Sequence, residues 1–187
     1  MNEQPILTIF GGSSPNRDQA PYRAAQRLGE LAAQSGWRIA TGGYSGTMEA
    51  ASRGAAEAGG EAIGVTCRQI EEWRPLGPNS WVTREIRCET LRDRLEQLVD
   101  LGDAAIALPG GIGTLAEVAL MWSWLQTSVI DAKPLVLVGS GWRQTFDVFL
   151  NSFEGYVAED YVDYLHFAED VEAAWRLTLE LVDDARD

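Results

Sequence analysis

Three short apolar runs in this chain end in paired glycines: ILTIFGG (Ile6–Gly12), WRIATGG (Trp37–Gly43) and AAIALPGG (Ala104–Gly111). After each comes a stretch with helical spacing. In YRAAQRLGELAAQSG (Tyr22–Gly36), Ala25, Leu28, Leu31 and Ala32 share one face and Gly36 marks the stop. Strands that read as near-continuous apolar runs and alternate with helices indicate a mostly parallel sheet covered on both faces. The alternation continues with a helix over 46–60, strands over 62–66 and 81–88, and a helix over 90–102. Thr90 and Asp93 carry a capping signal for that helix. A helix over 114–126 and a strand over 134–139 follow, then a helix from about Trp142, a short strand near YLHFA and a helix from about Asp170. Residues 67–80, polar and carrying Pro75 and Pro78, read as an irregular loop able to order over a ligand or a partner. At 187 residues, with no linker or internal repeat, the expectation is one domain spanning 1–187.

In such sheets, ligands bind where strands end and strand order reverses. Three glycine clusters fall at strand ends: GGSS (11–14), TGGYSG (41–46) and PGGIGT (109–114). A helix start exposes unpaired N–H groups and carries roughly half a positive charge, and glycine lets backbone approach a phosphate closely. The amides of PGGIGT and the Thr114 hydroxyl can therefore converge on one anion. Thr114-x-x-Glu117 is also a capping-box pattern that needs no ligand, so the residues alone leave both readings of Glu117 open. The loop is not a Walker loop, since no Gly-Lys-Ser/Thr follows. FGGSSPN lacks the dinucleotide pattern G-x-G-x-x-G, which argues against a nicotinamide cofactor.

A formal net charge of −13 argues against a nucleic-acid surface. It leaves room for a locally positive pocket, and fourteen of the fifteen basic residues are arginine, whose planar fork suits phosphate. No apolar run reaches the roughly 18 residues of a membrane helix. The start of the chain, MNEQPILTIFGG, lacks the features of a signal peptide and reads as cytoplasmic. Cys67 and Cys88, 21 residues apart, match neither a disulfide framework nor a zinc pattern. His166 has no ligand partner in sequence, so neither a metal nor a cofactor is called for.

PGGIGTLAE (Pro109–Glu117) resembles the P-G-G-x-G-T-x-x-E motif of the Lonely Guy family of nucleoside-monophosphate phosphoribohydrolases. FGGSS (Phe10–Ser14) is similar to that family's first-strand turn, and TGGYSGTMEAASRGA (Thr41–Ala55) to its second glycine loop. Arg94, fifteen residues before Pro109, matches the position of its active-site arginine. The superfamily also holds molybdenum-cofactor carrier proteins and distant DNA-processing relatives. The resemblance, from about Ile6 to about Phe149, implies a Rossmann-like doubly wound fold and a homodimer. It also implies hydrolysis of the N-glycosidic bond of AMP or cytokinin ribotides to free base and ribose 5-phosphate. Carried over by residue, Arg94 and Glu117 match the catalytic pair, Gly110, Gly111, Gly113 and Thr114 the phosphate loop, and Ser13, Gly43 and Met48 pocket positions. The rival implied by the same motif is a non-catalytic carrier of a phosphorylated cofactor.

Two departures bear on specificity. The family helix reads H-E-R-K around the arginine, whereas here it is RDRLE, without the lysine, and Tyr44 stands where glycine is usual. Tyr44 can stack on a base or be a tolerated loop aromatic. Older names call such proteins lysine decarboxylases, yet the single lysine, Lys133, falls at a strand entry, opposite the glycine loops. A pyridoxal phosphate enzyme needs a Schiff-base lysine at its site. The helix carrying Trp122 and Trp124 is apolar nearly all round, as expected of a core or a dimer contact.

Overall fold

The computed structural model describes residues 4–185; Met1–Glu3, at the head of the stretch read above as lacking signal-peptide features, lie outside the described residues. Seven strands form one sheet: β1 (Ile6–Phe10), β2 (Arg38–Thr41), β3 (Ala62–Cys67), β4 (Arg84–Cys88), β5 (Ala104–Ala107), β6 (Leu135–Val138) and β7 (Leu165–Ala168). Their order is β4-β3-β2-β1-β5-β6-β7, and every pair is parallel. The fold is thus a Rossmann-like α/β sheet, doubly wound, and its order reverses between β1 and β5.

Two apolar layers explain the stacking. Leu7 and Ile9 of β1 join Leu28, Ala51 and Trp175 on the face covered by α1 (Ala20–Gln34), α2 (Thr47–Glu57) and α8 (Val171–Asp184). Phe10, one pleat away, joins Leu98, Val118, Met121 and Phe146 on the face covered by α4 (Leu91–Leu101), α5 (Ile112–Gln126) and α6 (Ser140–Ser152). Strand residues alternate between faces, so both layers draw on the same short strands. Helices α1 and α2 meet at close range: a Cβ on Gly54 would lie 1.8 Å from the Gln26 carbonyl oxygen.

Four elements differ from the sequence reading. The 67–80 segment is not wholly irregular, because Arg68–Trp73 form α3, a short helix that stops before Pro75. Strand β4 is shorter than 81–88, and a four-residue helix α7 (Glu159–Val162) precedes β7. Helix α5 begins two residues earlier than the Thr114 start, with Gly111 as N-cap, so Thr114 is its third residue. Thr90 and Asp93, by contrast, do form the capping box of α4. Among the described residues no helix is long and apolar enough to cross a membrane. Trp122 is core: its indole N–H donates to the Tyr161 carbonyl at 2.7 Å and its ring meets Phe146 edge-on at 5.5 Å.

Candidate active site

The three glycine loops lock together at the sheet's reversal point. The Thr47 amide and hydroxyl both donate to the Gly12 carbonyl, at 3.0 and 2.8 Å. The Gly12 amide reaches the Pro109 carbonyl at 3.4 Å, and the Ser45 hydroxyl donates to the Ser13 carbonyl at 3.3 Å. Gly46, at φ +75°, must be glycine: a Cβ there would lie 2.5 Å from the Gly12 oxygen. Gly110 is likewise required, because its Cβ would meet Thr114 Oγ1 at 2.2 Å.

Between these loops lies a cleft of about 400 Å³. Of the residues expected at the site, Ser13, Met48, Arg94, Gly111, Gly113, Thr114 and Glu117 line it. Gly110 instead borders a neighbouring hollow with Pro109 and Trp142. Gly43 sits behind the wall at φ +77°, where its Cβ would meet Gly64 and Thr66. Its neighbour Gly42 is the residue that shapes the cleft, since a Cβ there would lie 1.8 Å from Arg94 Nη2. A larger hollow of about 580 Å³ opens near β6 and β7, but its charged groups, Arg143 and Glu169, are exposed.

Arg94 and Glu117 are buried at the cleft floor, at 6% and 8% exposure. Arg94 is held by its own chain: Nε donates to the Val65 carbonyl at 2.8 Å and Nη2 to the Gly42 carbonyl at 3.3 Å. The Tyr44 ring centre lies 5.7 Å from the guanidinium. The remaining nitrogen, Nη1, stands 3.7 Å from Glu117 Oε1, too far for a hydrogen bond. Among the described residues Glu117 accepts no hydrogen bond, and Gly111, not Thr114, caps α5, so the capping-box reading of Glu117 fails. Burial strips water from this carboxyl and raises its pKa to about 7, against the opposing pull of Arg94. Such a group can hold or release a proton near neutral pH. Ahead of it, the first-turn amides of Ile112, Gly113 and Thr114 have no carbonyl one turn back to bond, and these residues line the cleft at the positive end of the helix dipole.

Tyr44 departs from a simple stacking role. Its hydroxyl accepts from the Cys67 amide at 2.7 Å and reaches the Cys67 carbonyl at 3.2 Å, so the ring braces Arg94 against the start of α3. The other wall is Ile70, Trp73, Arg74 and Leu76 of the α3 segment, within the 67–80 stretch read from sequence as able to order over a ligand or partner, although none of these four residues was named there. Lys133 lies at the opposite sheet edge, donating to the carbonyls of Val99 and Gly102 at 2.7 and 2.8 Å. It is remote from this cleft and unsuited to a Schiff base there.

Fold and cleft together define a Rossmann-like protein with an open helix N-terminus and a buried acid–guanidinium pair. The chain belongs to the family described as "Possible lysine decarboxylase", whose model matches residues 48–178, within the Lonely Guy and molybdenum-cofactor carrier superfamily. It is 32% identical over 165 residues to a probable cytokinin riboside 5′-monophosphate phosphoribohydrolase of Oryza sativa subsp. japonica, covering 81% of this chain and 62% of the rice protein. It is 28% identical over 176 residues to the cytokinin riboside 5′-monophosphate phosphoribohydrolase of Mycobacterium tuberculosis, covering 91% of each. The molybdenum cofactor binding protein of Rippkaea orientalis superposes with a TM-score of 0.77 at 26% identity, over 97% of this chain and 99% of that one.

Proposed function

We propose that the protein hydrolyses the N-glycosidic bond of nucleoside 5′-monophosphates, releasing free base and ribose 5-phosphate. The observation that carries this reading is Glu117: buried, without a hydrogen bond among the described residues and one turn behind the open N-terminus of α5. A 5′-phosphate seated on the Ile112–Thr114 amides fixes the ribose over that turn. Ionised Glu117 then stabilises positive charge developing at C1′ and orients the attacking water. The bond from C1′ to the base nitrogen breaks, the water oxygen bonds to C1′, and a water proton ends on the base. Arg94 Nη1, which no backbone carbonyl among the described residues holds, can grip phosphate or keep Glu117 ionised. Incubation with a panel of nucleoside monophosphates, read as free base released, tests the proposal. Absence of release from every member refutes it.

The carrier reading is supported by one observation: the chain superposes on the Rippkaea protein over 99% of that protein's length, a span that the M. tuberculosis hydrolase nearly matches at 91%. Retention of molybdenum cofactor on the protein without turnover of any ribotide selects it. Apolar side chains exposed on α6, Val148 and Phe149, together with Phe153 support a homodimer, which light scattering reads as twice 20.5 kDa. The free thiols of Cys67 and Cys88 suit a cytoplasmic protein, which fractionation tests.

A further inference from the structure

We propose that Trp73 and Ile112 clamp a planar fused-ring nitrogen heterocycle across the mouth of the cleft, either a purine base or the pterin of a carried cofactor. The proposal rests on the reading that α5 holds the ligand's phosphate. Among the described residues three large apolar side chains are more than four-fifths exposed: Trp73 and Ile112 at 82% and Tyr156 at 86%. Two of the three border this one cleft.

The other site aromatic is not available for stacking, because the Tyr44 hydroxyl is tied to Cys67 and its ring faces Arg94. Trp37, Trp122, Trp142 and Trp175 are buried against other aromatic rings, whereas Trp73 has none against it among the described residues. The cleft is polar at the buried Arg94, Thr114 and Glu117, and along the more exposed α3 segment it is lined by the apolar Ile70, Trp73 and Leu76 together with the exposed Arg74. A ligand whose phosphate and sugar occupy the floor must project its ring system towards the mouth. Ile112 opens α5, so its amide faces the phosphate while its side chain borders that ring. An indole face suits any flat heterocycle and discriminates little between purine and pterin.

Calorimetric titration of wild type, Trp73→Ala and Trp73→Phe with AMP, molybdenum cofactor and ribose 5-phosphate tests the clamp. Alanine is expected to weaken whichever heterocyclic ligand binds by about 5- to 100-fold, as removal of an aromatic stacking platform does, and phenylalanine to restore most of it. Ribose 5-phosphate binding stays unchanged, and Ile112→Ala gives a smaller loss. Equal heterocycle binding by wild type and Trp73→Ala overturns the clamp, as does parallel loss of ribose 5-phosphate, a changed oligomeric mass in the alanine variant, or a wild type that binds neither heterocycle. AMP bound through Trp73 but never cleaved sustains the clamp and refutes the hydrolase. AMP cleaved and bound independently of Trp73 does the reverse.

Discussion

At the edge where the strands begin, the Lys133 ammonium donates to the carbonyls of Val99, Asp100 and Gly102 at 2.7, 3.4 and 2.8 Å. At the edge where they end, the Glu117 carboxyl lies deeper, yet its nearest charged partner, Arg94, stands 3.7 Å away. Both groups are taken out of water, which burial penalises unless hydrogen bonds replace the solvent. The chain compensates the first with carbonyls that the end of α4 leaves open. It leaves the second under-satisfied, beside a cleft and behind open amides. A charge satisfied by its own backbone reads as architecture, whereas one held buried and underused reads as a place for a ligand.

Removing Arg94 breaks this contrast most severely. Arg94→Met loses two hydrogen bonds to backbone carbonyls and leaves Glu117 buried without its cation. The expected destabilisation is about 3–5 kcal/mol at pH 8. It shrinks at pH 6, where Glu117, freed from the downward pull of Arg94, is protonated. Chemical denaturation at both pH values measures the difference, and an equal loss at each contradicts it. Turnover should vanish at either pH.

Glu117→Gln is expected to lower turnover of nucleoside monophosphates by about 10²–10³-fold, as loss of one transition-state electrostatic contact does. Its effect on stability runs the other way. The folded pKa, about 7, lies above the ordinary glutamate value of 4.5. Below pH 4.5 both folded and unfolded chains hold the proton; between 4.5 and 7 only the folded chain does, so stability falls as pH rises. Glutamine removes that slope, and melting temperatures from pH 4.5 to 8 should converge for the variant and decline for wild type. A wild-type profile flat across that window rules out the buried-carboxyl account.

The strands and most helices were legible because burial on both faces imposes apolar runs and helical spacing that neighbouring residues carry themselves. The start of α5 was less so: glycine at 111 and 113 has low helix propensity, so the first turn resembled loop and Thr114 its cap. Helix α3 hid in a polar stretch bounded by proline. At the site, Arg94 and Glu117 were reached through resemblance, since nothing in their spacing says that they meet. The backbone carbonyls that hold Arg94 come from β3 and from Gly42, 29 and 52 residues away. For the same reason Gly43 drew notice in place of Gly42: adjacent glycines look alike until the fold shows which one faces the guanidinium.

Those two glycines separate site from scaffold. Gly42→Ala drives a methyl group into Arg94 Nη2 and the Met48 sulfur, 1.8 and 2.7 Å from the ideal Cβ. It should displace the guanidinium and reduce turnover about 10-fold or more, as small misplacements at a reacting centre do. Gly43→Ala meets strain of another kind, at φ +77° and against the Gly64 backbone. It is expected to lose about 1–2 kcal/mol of stability while kcat is retained. Kinetics and denaturation on the pair together check the assignment, and a larger kcat loss for Gly43→Ala reverses it.

Lys133→Met returns to the opposite edge and should have the smallest effect. It removes the cation from the carbonyls at the end of α4, at a half-buried position. Hydrogen bonds to a charged group contribute roughly 1.5–3 kcal/mol, and water can replace part of them here, so the expected loss is about 1–2 kcal/mol. The substitution touches no group in the cleft, so kcat and KM for a nucleoside monophosphate should stay at wild-type values. Loss of turnover with the fold intact would place chemistry at Lys133, and the two edges could then no longer be divided into one that supports and one that reacts.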